Sequence, residues 1–261
     1  MLYPDAQEIF EQYNRAARAG NVDAMNLIAG FYYNGELIDR NYRLAFKWYK
    51  AAAENGHVEA MRNLAEMYHT GAGTRKSTNK AVEWFKRAAE KNDSASINAL
   101  GFLYHKGDGV EQNLTRAFEY YQRAAQLESS EAMVNLAYMY SQGEGVMVNH
   151  EIAFQWYERA ADFHHPEAYR NLASMCYSGQ GTLIDVKKAY WWMTRAAKLH
   201  YDRAMCELAD MYHHGAVYNQ KKAELWYKLS LNESADADII AAAQEGLREL
   251  SAIRKRPHSN E

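Results

Sequence analysis

The chain has 261 residues, 48% of them hydrophobic and 24% charged. A net charge of −3 excludes the strongly basic surface that nucleic-acid binding requires. No run of 18 or more apolar residues offers a membrane span. Three prolines suit a mostly helical chain, because proline inside a helix costs about 3 kcal/mol.

The first predicted element is a helix over residues 5–19, an unpaired N-terminal cap. Helix–turn–helix units then start near residues 24, 60, 96, 132, 168 and 204, measured by six glycines spaced 36 apart: Gly35, Gly71, Gly107, Gly143, Gly179 and Gly215. The second unit shows the pattern. Ala60, Leu64 and Tyr68 fall at i, i+4 and i+8 on a first helix, and Gly71 follows where a left-handed C-cap favours glycine. A polar connector over 71–79 leads to a second helix marked by Ala81, Phe85, Ala88 and Ala89.

The later units keep this register. Ala-Ala pairs recur at 16–17, 52–53, 88–89, 124–125, 160–161 and 196–197, with bulky partners such as Trp48-Tyr49, Tyr120-Tyr121 and Trp156-Tyr157. Small residues admit neighbouring helices to about 8–10 Å, and large ones fill the gaps. The departures are Leu37 and Val217 at the second turn glycine, Ser96 for alanine, Cys176 in a tyrosine slot, and a sixth connector two residues shorter. Ala243, Leu247 and Leu250 predict a capping helix over 236–254 in a terminal segment 234–254, before a basic and polar tail over 255–261.

The fold class expected is therefore all-α: a solenoid of about six 36-residue repeats with a capping helix at each end, forming one domain over residues 1–233. Core positions repeat because packing repeats, so a recognition surface should be the part that varies. One face of each first helix varies in this way, and it supplies the candidate protein-binding residues Tyr33, Arg62, Glu66, His69, Asn98, Phe102, His105, Tyr138, Arg170, Tyr177, Asp210 and His213. Tyrosine, phenylalanine and arginine are types that dominate buried hot spots.

Other chemistry fares worse on spacing. His69, His105 and His213 share one repeat slot, and His164 and His200 share another. Equivalent slots lie roughly 10 Å apart, whereas zinc needs nitrogens near 2 Å, and the adjacent pairs His164-His165 and His213-His214 are expected to diverge. No metal and no cofactor are expected. Cys206, Asp210 and His213 imitate a catalytic triplet, but Cys206 and His213 stand about two helical turns apart, beyond hydrogen-bond reach. The Gly-x-Gly turns follow no strand, so they are connectors, not phosphate loops. Three Asn-x-Ser/Thr triplets, at Asn92, Asn113 and Asn232, are chance matches in the absence of a secretory signal. Cys176 and Cys206, out of phase with the repeat, fit a reducing compartment, and the expected location is the cytoplasm unless an export segment precedes Met1.

Stretches such as Glu131-Ala132-Met133-Val134-Asn135-Leu136-Ala137-Tyr138-Met139-Tyr140, then Gly143-Glu144-Gly145-Val146, then Ala153-Phe154-Gln155-Trp156-Tyr157-Glu158-Arg159-Ala160-Ala161 resemble the Sel-one-like repeat family of tetratricopeptide-type solenoids. The resemblance spans roughly residues 5–233. It implies a right-handed α/α superhelix whose first helices line a concave groove, and adaptor or scaffold work rather than an enzyme. The expected partner is a protein or peptide in that groove, with no nucleic acid and no membrane, and with a monomeric chain favoured. A sharper version is an immunity-type neutraliser of one cognate protein. The resemblance also raises a β-lactam-binding hydrolase, whose family members carry cysteine pairs in every repeat as this chain does not, and an extracytoplasmic protein recognising host proteins or cell wall.

Overall fold

The structure is a computed structural model that describes residues 4–255. The tail predicted from residue 255 onward therefore lies outside the described residues from 256. Among the described residues there are fourteen α-helices and no strand. A first helix α1 (Pro4–Arg18) precedes six helix pairs: α2 (Val22–Asn34) with α3 (Tyr42–Glu54), α4 (Val58–Thr70) with α5 (Thr78–Glu90), α6 (Ser94–Lys106) with α7 (Leu114–Gln126), α8 (Ser130–Gln142) with α9 (His150–Asp162), α10 (Pro166–Ser178) with α11 (Val186–Lys198), and α12 (Asp202–His214) with α13 (Gln220–Glu233). A nineteen-residue helix, α14 (Ala237–Lys255), ends the series. The chain gathers into two compact units, one up to Ala132 and one from Met133.

Local sequence explains where each helix starts and stops. Asn41, Asn113, Asn149, Asp185 and Asn219 each accept a hydrogen bond from a backbone N–H in the first turn of an odd-numbered helix. Gly35, Gly71, Gly107 and Gly179 end even-numbered helices in the left-handed conformation. Gly215 breaks this series. Its backbone is extended (φ −84°, ψ −178°), as the shorter sixth connector requires. Glycine is needed there for closeness, since a Cβ would run into the Met211 carbonyl and the Tyr190 hydroxyl.

A second ruler, also of 36 residues, emerges only in three dimensions. Gly20, Gly56, Asn92, Glu128, His164 and His200 all have positive φ, between 57° and 98°. They turn the chain out of α1, α3, α5, α7, α9 and α11, whereas α13 ends in extended backbone at Ser234. The slot shared by His164 and His200 is thus a backbone position. A side chain in this region costs about 1 kcal/mol or more relative to glycine. Glu128 is exposed, so Glu128→Gly is expected to raise stability by about 1 kcal/mol in urea unfolding; an unchanged or lower midpoint would show that the turn is not strained.

Packing within each unit follows the small–large alternation. Ala45, Ala81 and Ala117 in the first unit, and Ala153, Ala189 and Ala223 in the second, are fully buried. Beside them lie Tyr49, Phe85 and Tyr121, then Tyr157, Met193 and Tyr227. At the N-terminal end Phe10 and Ala17 of α1 pack with Ala24 and Ile28, while Leu37 and Ile38 lie against the same cluster. That explains the Leu37 departure: the first turn meets an apolar cap rather than the end of a preceding helix pair. Arginines lie over tryptophan rings, as in Arg87 on the buried Trp84 at 4.4 Å and Arg159 on the half-buried Trp156 at 4.5 Å.

Candidate protein-binding surface

The even-numbered helices of the first unit present a recess of about 470 Å³. Glu66 and His69 of α4, Asn98 and Phe102 of α6, and Ser129 and Glu131 at the start of α8 border it. Its floor includes Phe85 and Leu103. A second recess of about 290 Å³ shares Glu66 and adds Tyr33, Asn34, Tyr49 and Asn63. Four of the twelve candidate residues, Glu66, His69, Asn98 and Phe102, thus meet at one place, and Tyr33 lies next to it. In the second unit Tyr138 borders a separate recess of about 340 Å³ with Ser141, His150, Tyr157, Asn171 and Ser174.

Several candidates hold neighbouring helices together. Arg62 pairs with Asp93 at 2.8 Å and with Glu59 at 3.8 Å. Asp93 is also the N-cap of α6, accepting from the Ser96 amide at 2.9 Å and the Ser96 hydroxyl at 2.6 Å; the serine in an alanine slot has that partner as its reason. Arg170 grips Glu207 of α12, its Nε 2.8 Å from both carboxylate oxygens and its Nη2 2.7 Å from Oε1. His69 Nε2 lies 2.9 Å from Asp108 in the next turn, and that hydrogen bond lowers the Asp108 pKa. Tyr33 stacks edge-on against Tyr42, and His105 lies edge-on to Tyr121.

Exposed aromatics remain at Phe102, Tyr138 and Tyr177, each about two-fifths accessible (44%, 43% and 44%). The last two candidates are taken up by the chain itself. The Tyr227 hydroxyl donates to Asp210. His213 is buried, its Nδ1 3.4 Å from the Tyr227 hydroxyl and 3.8 Å from Glu249 of α14. Burial, then the neighbouring His214, lowers the His213 pKa. The expectation that His213 and His214 diverge is corrected: their rings stack 3.8 Å apart, because the helix ends at His214 and the extended Gly215 turns the chain away.

Cys206 is buried, and its thiol is pushed up to about 12 by burial and the nearby acidic groups Asp210 and Glu207, so no thiolate forms there at neutral pH.

Glu66 stands where binding energy can be gained. Burial raises its pKa, with His69 and Arg62 opposing. Both side chains are already engaged, His69 with Asp108 and Arg62 with Asp93. The Glu131 carboxylate accepts only from the Ser129 and Ser130 hydroxyls among its described hydrogen bonds. The recess therefore carries negative charge beside an aromatic ring and an amide.

Residues outside the sequence-derived face include Asn63, Glu131 and Tyr49. Asn63 and Glu131 occupy repeat slots beside the one face of each first helix that supplied the candidates, so that face passes over them. Tyr49 carries the core pattern while bordering a recess; burial pushes its phenol up to about 12, and a hydrogen bond with Asn63 opposes the shift.

Comparison with known proteins gives the fold its relatives. The chain is similar to a Sel1 repeat protein from Oxalobacter formigenes, with 30% identity, TM-score 0.79, and coverage of 86% of this chain and all of that one. It is also similar to c5321, a protective antigen present in uropathogenic Escherichia coli strains and displaying an SLR fold. There identity is 28% and the TM-score 0.77, over 98% of this chain and 62% of the other. Immunity protein Pa5087 from Pseudomonas aeruginosa shares the fold, at 19% identity and TM-score 0.55, over 91% of this chain and 88% of that chain. No curated protein matches. A family model described as Sel1 repeat matches at residues 22–57, 58–93, 94–129, 130–162, 166–201 and 202–233, so the chain belongs to the Sel1 repeat family.

Proposed function

We propose that this chain is a non-enzymatic protein-binding scaffold that holds a basic segment of a protein partner on the even-numbered helix face of its first unit. Sel1 repeat proteins generally serve protein–protein interaction. The observation that carries the basic preference is the recess of about 470 Å³ lined by Glu66, Glu131, Asn98 and Phe102. A carboxylate with poorly solvated charge gains from an incoming cation, and a phenylalanine face adds a cation–π contact of about 0.5–2 kcal/mol. Lysine or arginine of a partner supplies both. The Asn98 side-chain amide supplies a further polar contact at the rim.

The test is to isolate the untagged protein's complexes from its own cells and measure the partner's affinity. One stoichiometric partner is expected. Glu66→Gln combined with Phe102→Ala should weaken it at least tenfold, about 1.4 kcal/mol, and raised salt should weaken the wild-type complex more than the variant. In the sharper version that partner is one cognate protein whose activity capture suppresses. A partner indifferent to both substitutions would refute this site. Turnover of a small molecule without any protein partner would refute the scaffold reading itself.

A further inference from the structure

The second unit contains a side-chain cluster that protein binding leaves unused. His213 and His214 close α12, and Glu249 of α14 reaches toward both. Its Oε2 lies 3.8 Å from His213 Nδ1 and 3.4 Å from His214 Nε2. All three donor atoms fall within 4.8 Å of one another. Four-coordinate zinc with nitrogen and oxygen ligands at about 2.0–2.1 Å keeps neighbouring ligand atoms roughly 3.3 Å apart. One edge of the triangle already has that length.

The two rings are inclined by 29° and stacked, so their lone pairs do not yet converge on one point. The adjustment falls on side chains able to make it. His214 and Glu249 have side chains 60% and 48% exposed, against 3% for His213. His213 is the fixed member. Its Nδ1 faces the Tyr227 hydroxyl, whose proton goes to Asp210, so the phenol oxygen can only accept from Nδ1, and an ion bound there takes the place of that Nδ1 proton. A positioned imidazole, a mobile imidazole and a mobile carboxylate, with one side open to water, make a donor set for borderline divalent ions rather than for calcium or magnesium.

We propose that His213, His214 and Glu249 bind one divalent transition-metal ion, of the zinc, nickel or cobalt class, and that the ion fastens α14 onto α12. Two ligands come from one helix and the third from the other, so binding stabilises the docked state of α14 in preference to the undocked one. This inference stands on the second unit alone and does not depend on the partner-binding reading.

The experiment uses the full-length, untagged protein after chelator treatment, titrated with Zn²⁺, and with Co²⁺ as a spectroscopic probe. One equivalent is expected to bind with micromolar or tighter affinity. Cobalt should give the visible absorption of a four- or five-coordinate site, and amide exchange in α14 should slow. Glu249→Gln and His214→Ala, both exposed positions, should each weaken binding at least tenfold, whereas His200→Ala should not. No binding below about 100 µM would overturn the proposal. So would binding that survives both substitutions, or binding that leaves α14 exchange unchanged. Because the informative substitutions avoid the buried His213, a folding defect does not mask the result.

Discussion

Gly73→Ala is expected to destabilise the first unit by about 3 kcal/mol or more, while Gly20→Ala costs only about 1–2 kcal/mol. Both glycines have positive φ, 69° and 98°, so both substitutions incur the left-handed penalty of about 1–2 kcal/mol. Their surroundings differ. Nothing lies within 4 Å of a Cβ built on Gly20. A Cβ on Gly73 runs into the Tyr42 carbonyl and comes within 2.9 Å of the Arg43 backbone nitrogen. These atoms belong to the first turn of α3, in the preceding helix pair, and backbone cannot swing aside as a flexible side chain can. Overpacking adds roughly 1–3 kcal/mol. Gly109 against Thr78 and Gly181 against His150 repeat the arrangement, so the second turn glycine sets how closely successive helix pairs stack. Urea midpoints at unchanged slope measure the difference. Equal losses in the two variants would show that stacking places no demand on Gly73.

Gly246→Ala is expected to lower stability by about 2 kcal/mol, although helix propensity alone predicts a gain of about 1 kcal/mol for this exchange inside α14. A Cβ there meets the Tyr227 ring, with Cε2 and the hydroxyl oxygen both at 2.6 Å. Tyr227 is fully buried and tied through its hydroxyl to Asp210, so the ring has nowhere to retreat. The helix must lift instead, loosening the Gln220–Leu250 hydrogen bond of 3.3 Å that also holds α14. Thermal unfolding gives the sign, and amide exchange should accelerate first in α14. Pairing the change with Tyr227→Leu should cost less than the sum of the two single variants. A stabilised Gly246→Ala protein would mean that α14 is not packed on Tyr227.

These two glycines also separate what can be read from a chain from what cannot. The 36-residue spacing of Gly35 through Gly179, the alanine pairs and the bulky partners together specify helix pairs, because each is a local demand of backbone or packing volume. Gly73 is legible as a turn residue, but not as the site of a close approach to Tyr42, thirty-one positions earlier. The candidate surface divides in the same way. Glu66, His69, Asn98 and Phe102 stand out as varying positions and do share a recess. Arg62 and Arg170 stand out equally, yet their guanidinium groups are engaged with Asp93 and Glu207. Helical spacing tells which face a side chain leaves from, and says nothing about which acid the next helix brings to it.

The sequence by itself determined the repeat, its register, the all-α class and the membership of the Sel1 repeat family, since periodicity is written in residue types along one dimension. Only the tertiary structure decided which charges face an open recess and which are engaged, where a second left-handed position recurs, and that α14 returns to cover His213 and bring Glu249 beside two histidines. Each of those depends on contacts between residues distant in the chain, and a spacing rule derived from one helix cannot contain the helix that packs against it.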